Sequence, residues 1–244
     1  MKDFLKDLVS HTHALSFLPL VKISSSSTET LIESIAEDRS VIVNATTHVP
    51  VSNLEGTFGM PNLNKLDIHL KCPEYKDDAN INVVTDTKDG EVICKGLHFK
   101  NKAGDFQNDY RFMKQEIINE KLKSVKFKGA NWDITFVPSL TSIEKFKYQQ
   151  TANNEETVFQ VSTDANNDLI FTFGDASTHA GSFIFETNVN GKLIRPFSWP
   201  ISQFRSILNL SGDMTIRISN AGALQVTVDS GIAEYNYILP AQVK

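Results

Sequence analysis

Apolar and polar residues alternate along most of this chain, in short runs closed by turn residues. A period of two predicts strands over Leu18–Ile23, Thr30–Glu37, Val41–Thr47, Ile81–Asp86, Glu91–Leu97, Asp109–Met113, Trp132–Val137, Thr157–Thr163, Asp168–Phe173, Ser182–Asn188 and Thr215–Ser219. The last twenty residues, "GALQVTVDSGIAEYNYILPA", predict a closing hairpin: Ala223–Val228 alternates, Asp229-Ser230-Gly231 supplies the turn, and Ala233–Leu239 resumes the strand. Four segments switch to helical spacing. "MKDFLKDLVSHTHAL" sets Phe4, Leu5, Leu8 and Leu15 on one side, and "MPNLNKLDIHLKC" follows Pro61 with Leu63, Leu66 and Leu70. "PSLTSIEKFKYQQ" places Ser139 as an N-cap before Leu140, Ile143 and Phe146, and "WPISQFRSILNLS" again puts Pro first, then Ile201, Phe204, Ile207 and Leu208.

The helical segments form two pairs. "TFGMPNLNKLDI" and "PFSWPISQFRSI" share Phe, a spacer, a bulky apolar residue and Pro, 139 residues apart. Leu5-Lys6-Asp7-Leu8 lies 138 residues before Ile143-Glu144-Lys145-Phe146. After each later helix come a strand, a Gly-led strand (from Gly90 and from Gly222) and another strand. Internal repetition at this scale predicts two similar α+β domains, residues 1–113 and 132–244, each with two helices packed on antiparallel sheet. The connecting segment 114–131 begins "KQEIINEKLKSVKFKGA", is Lys-rich and carries Ile117, Ile118, Leu122 and Val125; a solvated linker, an amphipathic helix and a docking segment all remain open.

Composition narrows the chemistry. With 244 residues, 41% of them hydrophobic, the chain suits one large or two ordinary domains. Cys72 and Cys94 are too few for a disulfide framework and lack companions at zinc spacing, so reduced thiols in a cytosol-like compartment are expected. No apolar run reaches the ~20 residues of a membrane span, and Pro19 interrupts the only N-terminal apolar stretch. Gly191-Lys192 lacks the context of a phosphate loop. His11 and His13, two apart on a helix, face different ways. His179 sits in a polar turn without a nucleophile elbow, and no carboxylate pair stands out. The residues therefore support neither an enzyme nor a metal or cofactor site.

Several stretches together resemble DNA sliding clamps of the proliferating-cell-nuclear-antigen and T4-type phage kind. "MPNLNKLDIHLKCPEYKDDANINVV" is similar to the clamp segment in which a helix ending Leu-Lys-Cys leads through an acidic turn to a strand. "NDYRFM" resembles the strand closing the first clamp domain, "GDASTHAGSFIFE" the Gly-Asp turn and edge strand of the second, and the closing hairpin the clamp C-terminus. The likeness spans most of the chain; it departs at the Lys-rich connecting segment and at Gln242-Val243-Lys244, where clamps usually carry an acidic tail.

The resemblance implies the DNA-clamp fold, a closed ring of six domains from three chains, helices lining the hole and sheets outside. It implies no catalysis and no cofactor. Its partners would be double-stranded DNA, gripped without regard to sequence, a DNA polymerase and an ATP-dependent clamp loader. The setting would be cytoplasmic, in the host cell if the source is a virus or phage, as the chain's brevity suggests. Edge strands would join subunits: Asp109, Tyr110 and Phe112 of one against Ser182, Phe183 and Phe185 of the next. DNA-facing candidates are Lys2, Lys6, Lys65, Lys71, Lys145, Lys147 and Arg205. The four helical stretches carry a net +3 while the chain carries −5, leaving −8 elsewhere. A partner-peptide groove would involve Val41, Val43, Ile117, Ile118, Tyr237, Leu239, Pro240 and Ala241, with core packing as the alternative. A rival for the whole reading is an oligomeric β-rich viral structural protein.

Overall fold

The structure, a computed structural model, describes residues 1–76, 79–88, 91–122, 127, 129–175, 177 and 179–242. Gly90, Val125, Val243 and Lys244, which entered the sequence reading, lie outside the described residues. The chain divides into two compact units: Met1–Lys126 with Ser230–Tyr235, and Phe127–Asp229 with Asn236–Lys244.

In the first unit, α1 (Lys2–His11) leads through a short 3₁₀ turn (His13–Leu15) into β1 (Leu20–Ser25), β2 (Thr30–Ile35), β3 (Ile42–Thr47) and β4 (Gly56–Pro61). Then come α2 (Leu63–Lys71), β5 (Asn80–Lys88), β6 (Glu91–Lys100), β7 (Gln107–Arg111) and α3 (Gln115–Lys121). The strand order is β4-β1-β2-β3 in one antiparallel sheet and β5-β6-β7 in the other. Ser230–Tyr235 completes this unit at the end of β3, where the His48 N–H donates to Ile232 O at 2.9 Å.

The second unit repeats the plan. It runs β8 (Ile134–Phe136), α4 (Leu140–Ala152), β9 (Val158–Thr163), β10 (Leu169–Phe173), β11 (Gly181–Glu186), β12 (Phe197–Pro200), α5 (Ile201–Leu208), β13 (Asp213–Ser219), β14 (Ala223–Asp229) and the greater part of β15 (Ala233–Pro240). Its sheets read β12-β9-β10-β11, the order of β4-β1-β2-β3, and β15-β14-β13-β8.

Burial fixes the repeat more closely than sequence did. α1 buries Phe4, Leu5 and Leu8 where α4 buries Ser142, Ile143 and Phe146. α2 buries Leu63, Leu66, His69 and Leu70 where α5 buries Ile201, Phe204, Ile207 and Leu208. Both helix pairs are thus related by 138 residues, although Pro61 and Pro200 are 139 apart. The extra residue is Asn62, which takes a left-handed conformation (φ 53°) ahead of α2, whereas α5 starts directly after Pro200. Asn tolerates that conformation better than most residues.

Two strands escape the sequence reading, and part of the connecting segment takes the helical form, one of its open alternatives. β4 and β12 contain Gly56, Gly59, Pro61 and Pro200, residues that punctuate rather than extend strands. Their Phe58, Met60, Phe197 and Trp199 are nonetheless buried. α3 comes from the connecting segment, whose first part belongs to the first unit. Its anchor is Ile118, wholly buried over Gly59. A Cβ added to Gly59 would stand 3.0 Å from three Ile118 side-chain carbons. Met113 locks the neighbouring backbone through reciprocal bonds with Gly59, 3.0 and 2.7 Å. Gly59→Val is expected to lift α3 from β4, costing about 1–3 kcal/mol through overpacking. Limited proteolysis within residues 114–126 should accelerate, and adding Ile118→Ala should restore part of the stability.

Candidate functional site

The seven candidate cations fall into two groups. Lys2 is engaged: its Nζ donates to Tyr75 O at 2.6 Å and Lys76 O at 2.5 Å, closing the Pro73–Tyr75 turn. Lys71 pairs with Asp67 at 2.6 Å and Lys147 with Glu144 at 2.9 Å. Lys6, Lys65, Lys145 and Arg205 are exposed and carry no ion pair among the described residues. Each sits on a different helix, α1, α2, α4 and α5, on the side away from the buried face. Every helix of the repeat therefore offers one uncommitted positive charge.

The proposed subunit edges are also identifiable. β7 and β11 are each the last strand of their sheet. Phe112 N–H bonds Lys95 O, and Met113 exchanges bonds with Gly59, so alternation turns the main-chain groups of Asp109 and Arg111 outward. The Asp164 N–H bond to Asp168 O sets the phase of β9 and β10, and through the β10–β11 register leaves Ser182 and Ile184 facing outward. The side chains of Asp109, Arg111, Ser182 and Ile184 are exposed. His98 Nδ1 lies 2.9 Å from Asp109 Oδ1, and this hydrogen bond holds the Asp109 carboxyl below its ordinary range.

Four of the six expected interface side chains turn inward instead. Tyr110 is buried and its hydroxyl donates to Pro61 O; burial raises its ionisation well above the usual value. Phe112 stacks on Phe58 at 4.2 Å and Phe185 on Phe171 at 4.3 Å. Phe183 is half-buried beside both Phe171 and Phe185. In an edge strand the core face and the hydrogen-bonding edge are perpendicular, so these residues hold the strand while its backbone stays open. Arg111 and Ile184 were missed because alternation names a strand's faces, not its edge.

The peptide-groove expectation needs a larger correction. Val41, Val43, Ile118, Tyr237 and Leu239 are 0% exposed and present no surface to a partner. They are core residues: Trp199 Nε1–H donates to Leu239 O at 3.0 Å, packing that strand from behind. Ile117, Pro240 and Ala241 retain exposure.

Two further clusters do not amount to reaction chemistry. His11 lies 3.1 Å from Asp7 and stacks on Tyr235 at 4.5 Å, while the Tyr235 hydroxyl donates to Asp7 at 2.8 Å. This network binds α1 to the Ser230–Tyr235 segment of the first unit. A depression beside α1 and α2 is lined by Ser10, His13, Asn62, Asn64, Asp67 and Lys71, with Asp67 already committed to Lys71. No group of three or more metal-ligating side chains occurs among the described residues.

No protein-family model matches the chain, and no curated protein matches it. Solved structures do. PCNA from A. fulgidus, solved with the C-terminal region of FEN-1 bound, superposes with a TM-score of 0.69 at 13% identity, over 100% of this chain and 96% of that one. PCNA from Thermococcus kodakaraensis superposes with a TM-score of 0.67 at 11% identity, over 98% and 97%. The chain has the PCNA clamp fold: α+β, with antiparallel sheets and few helices.

Proposed function

We propose that this chain is a non-enzymatic sliding clamp, which closes as a ring of three chains around duplex DNA and tethers a replicative polymerase. The observation that carries the reading is the pair of open edges. In chain order β11 is the third of the four strands of its sheet, as β3 is in the first unit; β7 closes the first repeat as β15 closes the second. In the first unit the beginning of β15 lies at β3, so that unit already contains one pairing of this type. Repeating it between β7 of one chain and β11 of the next satisfies both edges. A head-to-tail contact of that kind closes into a ring when the rotation fits, and six repeats require three chains.

The uncommitted cations on α1, α2, α4 and α5 suit a hole that attracts phosphate weakly, so that topology retains the ring while DNA slides. A docking role for replication proteins draws support from the A. fulgidus PCNA structure, which holds a FEN-1 segment. On this chain the accessible Ile117, Pro240 and Ala241 are the residues left to contribute. Loading needs a separate ATP-driven partner, since the chain has no phosphate loop. No helix among the described residues is long and apolar enough to cross a membrane.

The test is retention on DNA after assembly by a loader. Protein should stay on covalently closed circles through a high-salt wash and leave within seconds when the circle is linearised. Equal release from both forms would remove topological linkage, and with it the proposed function.

A further inference from the structure

The two repeats differ at one edge. In the second unit β8 covers the outside of β13, pairing Ile134 with Ile218, Thr135 with Arg217 and Phe136 with Ile216. Ile134, Ile216 and Ile218 are all 0% exposed. In the first unit the corresponding sheet stops at β5, with no strand outside it among the described residues.

The bridges Gly59–Met113 and Ser198–Gln242 occupy equivalent places in the two repeats. Followed from them through the hairpin ladders, Ile81, Asn82 and Val83 of β5 correspond to Ile216, Arg217 and Ile218 of β13. Ile81 and Val83 lie across from Phe99 and Leu97, which are 0% exposed, and so belong to the core face. Yet both are half-buried only. The same register that bonds Phe112 to Lys95 turns the main-chain groups of Ile81 and Val83 outward. Outward-facing donors and acceptors therefore coincide with uncovered apolar side chains, at the two positions that the second repeat seals with its own strand.

We propose that the outer edge of β5 is a strand-addition site for an extended segment of a partner protein. That segment would carry apolar residues two apart with a polar residue between, the chemistry of Ile134-Thr135-Phe136 in β8. Backbone pairing supplies the affinity, and the paired apolar residues supply the selectivity. The inference rests on the duplicated fold alone and stands whether or not the chain encircles DNA.

The probe is a fluorescently labelled peptide copying residues 131–137, "NWDITFV", added to the intact chain. A saturable rise in anisotropy is expected, with slowed amide exchange at Ile81 and Val83. Val83→Pro removes an outward-facing donor from an edge strand, where proline is tolerated. It should weaken binding at least tenfold while the melting temperature stays close to that of the parent. Ile81→Lys, which leaves the backbone intact, should weaken binding likewise by placing a charge on the edge, with some loss of stability because Ile81 is half-buried on the core face. No saturable binding, or binding unchanged in both variants, would overturn the proposal. So would slowed exchange at Ile216 and Ile218 instead, which would mean displacement of β8. Protection of Ile81 and Val83 that rises with chain concentration and needs no peptide would assign the edge to a second copy, also against the proposal.

Discussion

Ile184→Pro is expected to lower the solution mass from about 82 kDa, three copies of a 27.2 kDa chain, to that of a single chain. Ile184 lies in β11, an edge strand, with its main-chain groups turned away from β10. Proline removes the outward N–H and adds a ring where the next strand would approach. Among the described residues nothing uses that donor, so circular dichroism and thermal unfolding should change little. Across each subunit contact the partner carbonyl is left unpaired, at a cost of about 1–3 kcal/mol, roughly ten- to a hundredfold in affinity. A closed ring contains that contact three times. Arg111→Pro on β7 should dissociate the ring in the same way from the other side. Light scattering across a dilution series reads both variants. A parent that is a dimer, or an Ile184→Pro variant that stays near 82 kDa, would rule out these two edges as the subunit contact.

The second large effect concerns DNA. Replacing Lys6, Lys65, Lys145 and Arg205 together by Ala is expected to weaken binding to linear duplex at low salt by tenfold or more. The slope of log affinity against log salt should shrink by about 0.9 for each phosphate that the protein no longer neutralises. The comparison set is Lys71→Ala with Lys147→Ala. Those ammonium groups are already paired with Asp67 and Glu144, so their removal also frees a carboxylate and should change the slope less. Retention of preloaded protein on closed circles should survive the quadruple substitution, because a ring is held by linkage rather than by attraction. If the two sets weaken binding equally, the division between committed and uncommitted cations fails. If neither set matters, the helices do not face DNA.

The fold was legible in the sequence to the extent that local pattern carries it. Alternation located most strands, and 3.6-residue spacing located α1, α2, α4 and α5. The duplication was visible in paired Phe and Pro motifs even though no family model matches. β4 and β12 were overlooked because Gly and Pro mask an alternation that Phe58, Met60, Phe197 and Trp199 still express. Leu140, read as part of the apolar face of α4, is 82% exposed; it opens the helix directly after the Ser139 cap, on the solvent side. Part of the cation sorting was readable too. Lys71 stands four residues after Asp67 and Lys147 three after Glu144, spacings that meet on a helix. Lys2 was not readable, since its carbonyl partners are more than seventy residues away.

What the sequence determined by itself is most of the elements, their duplication, the relative positivity of the helices and the lack of a nucleotide loop. Tertiary structure decided which strand is an edge and which apolar residue is core. A period of two says that a strand has two faces; it does not say whether another strand lies beside it. That depends on residues far along the chain: β8 lies beside β13, while no described strand lies outside β5. For the same reason Val41, Val43, Tyr237 and Leu239, as apolar as any groove wall, are core residues: burial is a property of neighbours brought together in space, not of the side chain alone.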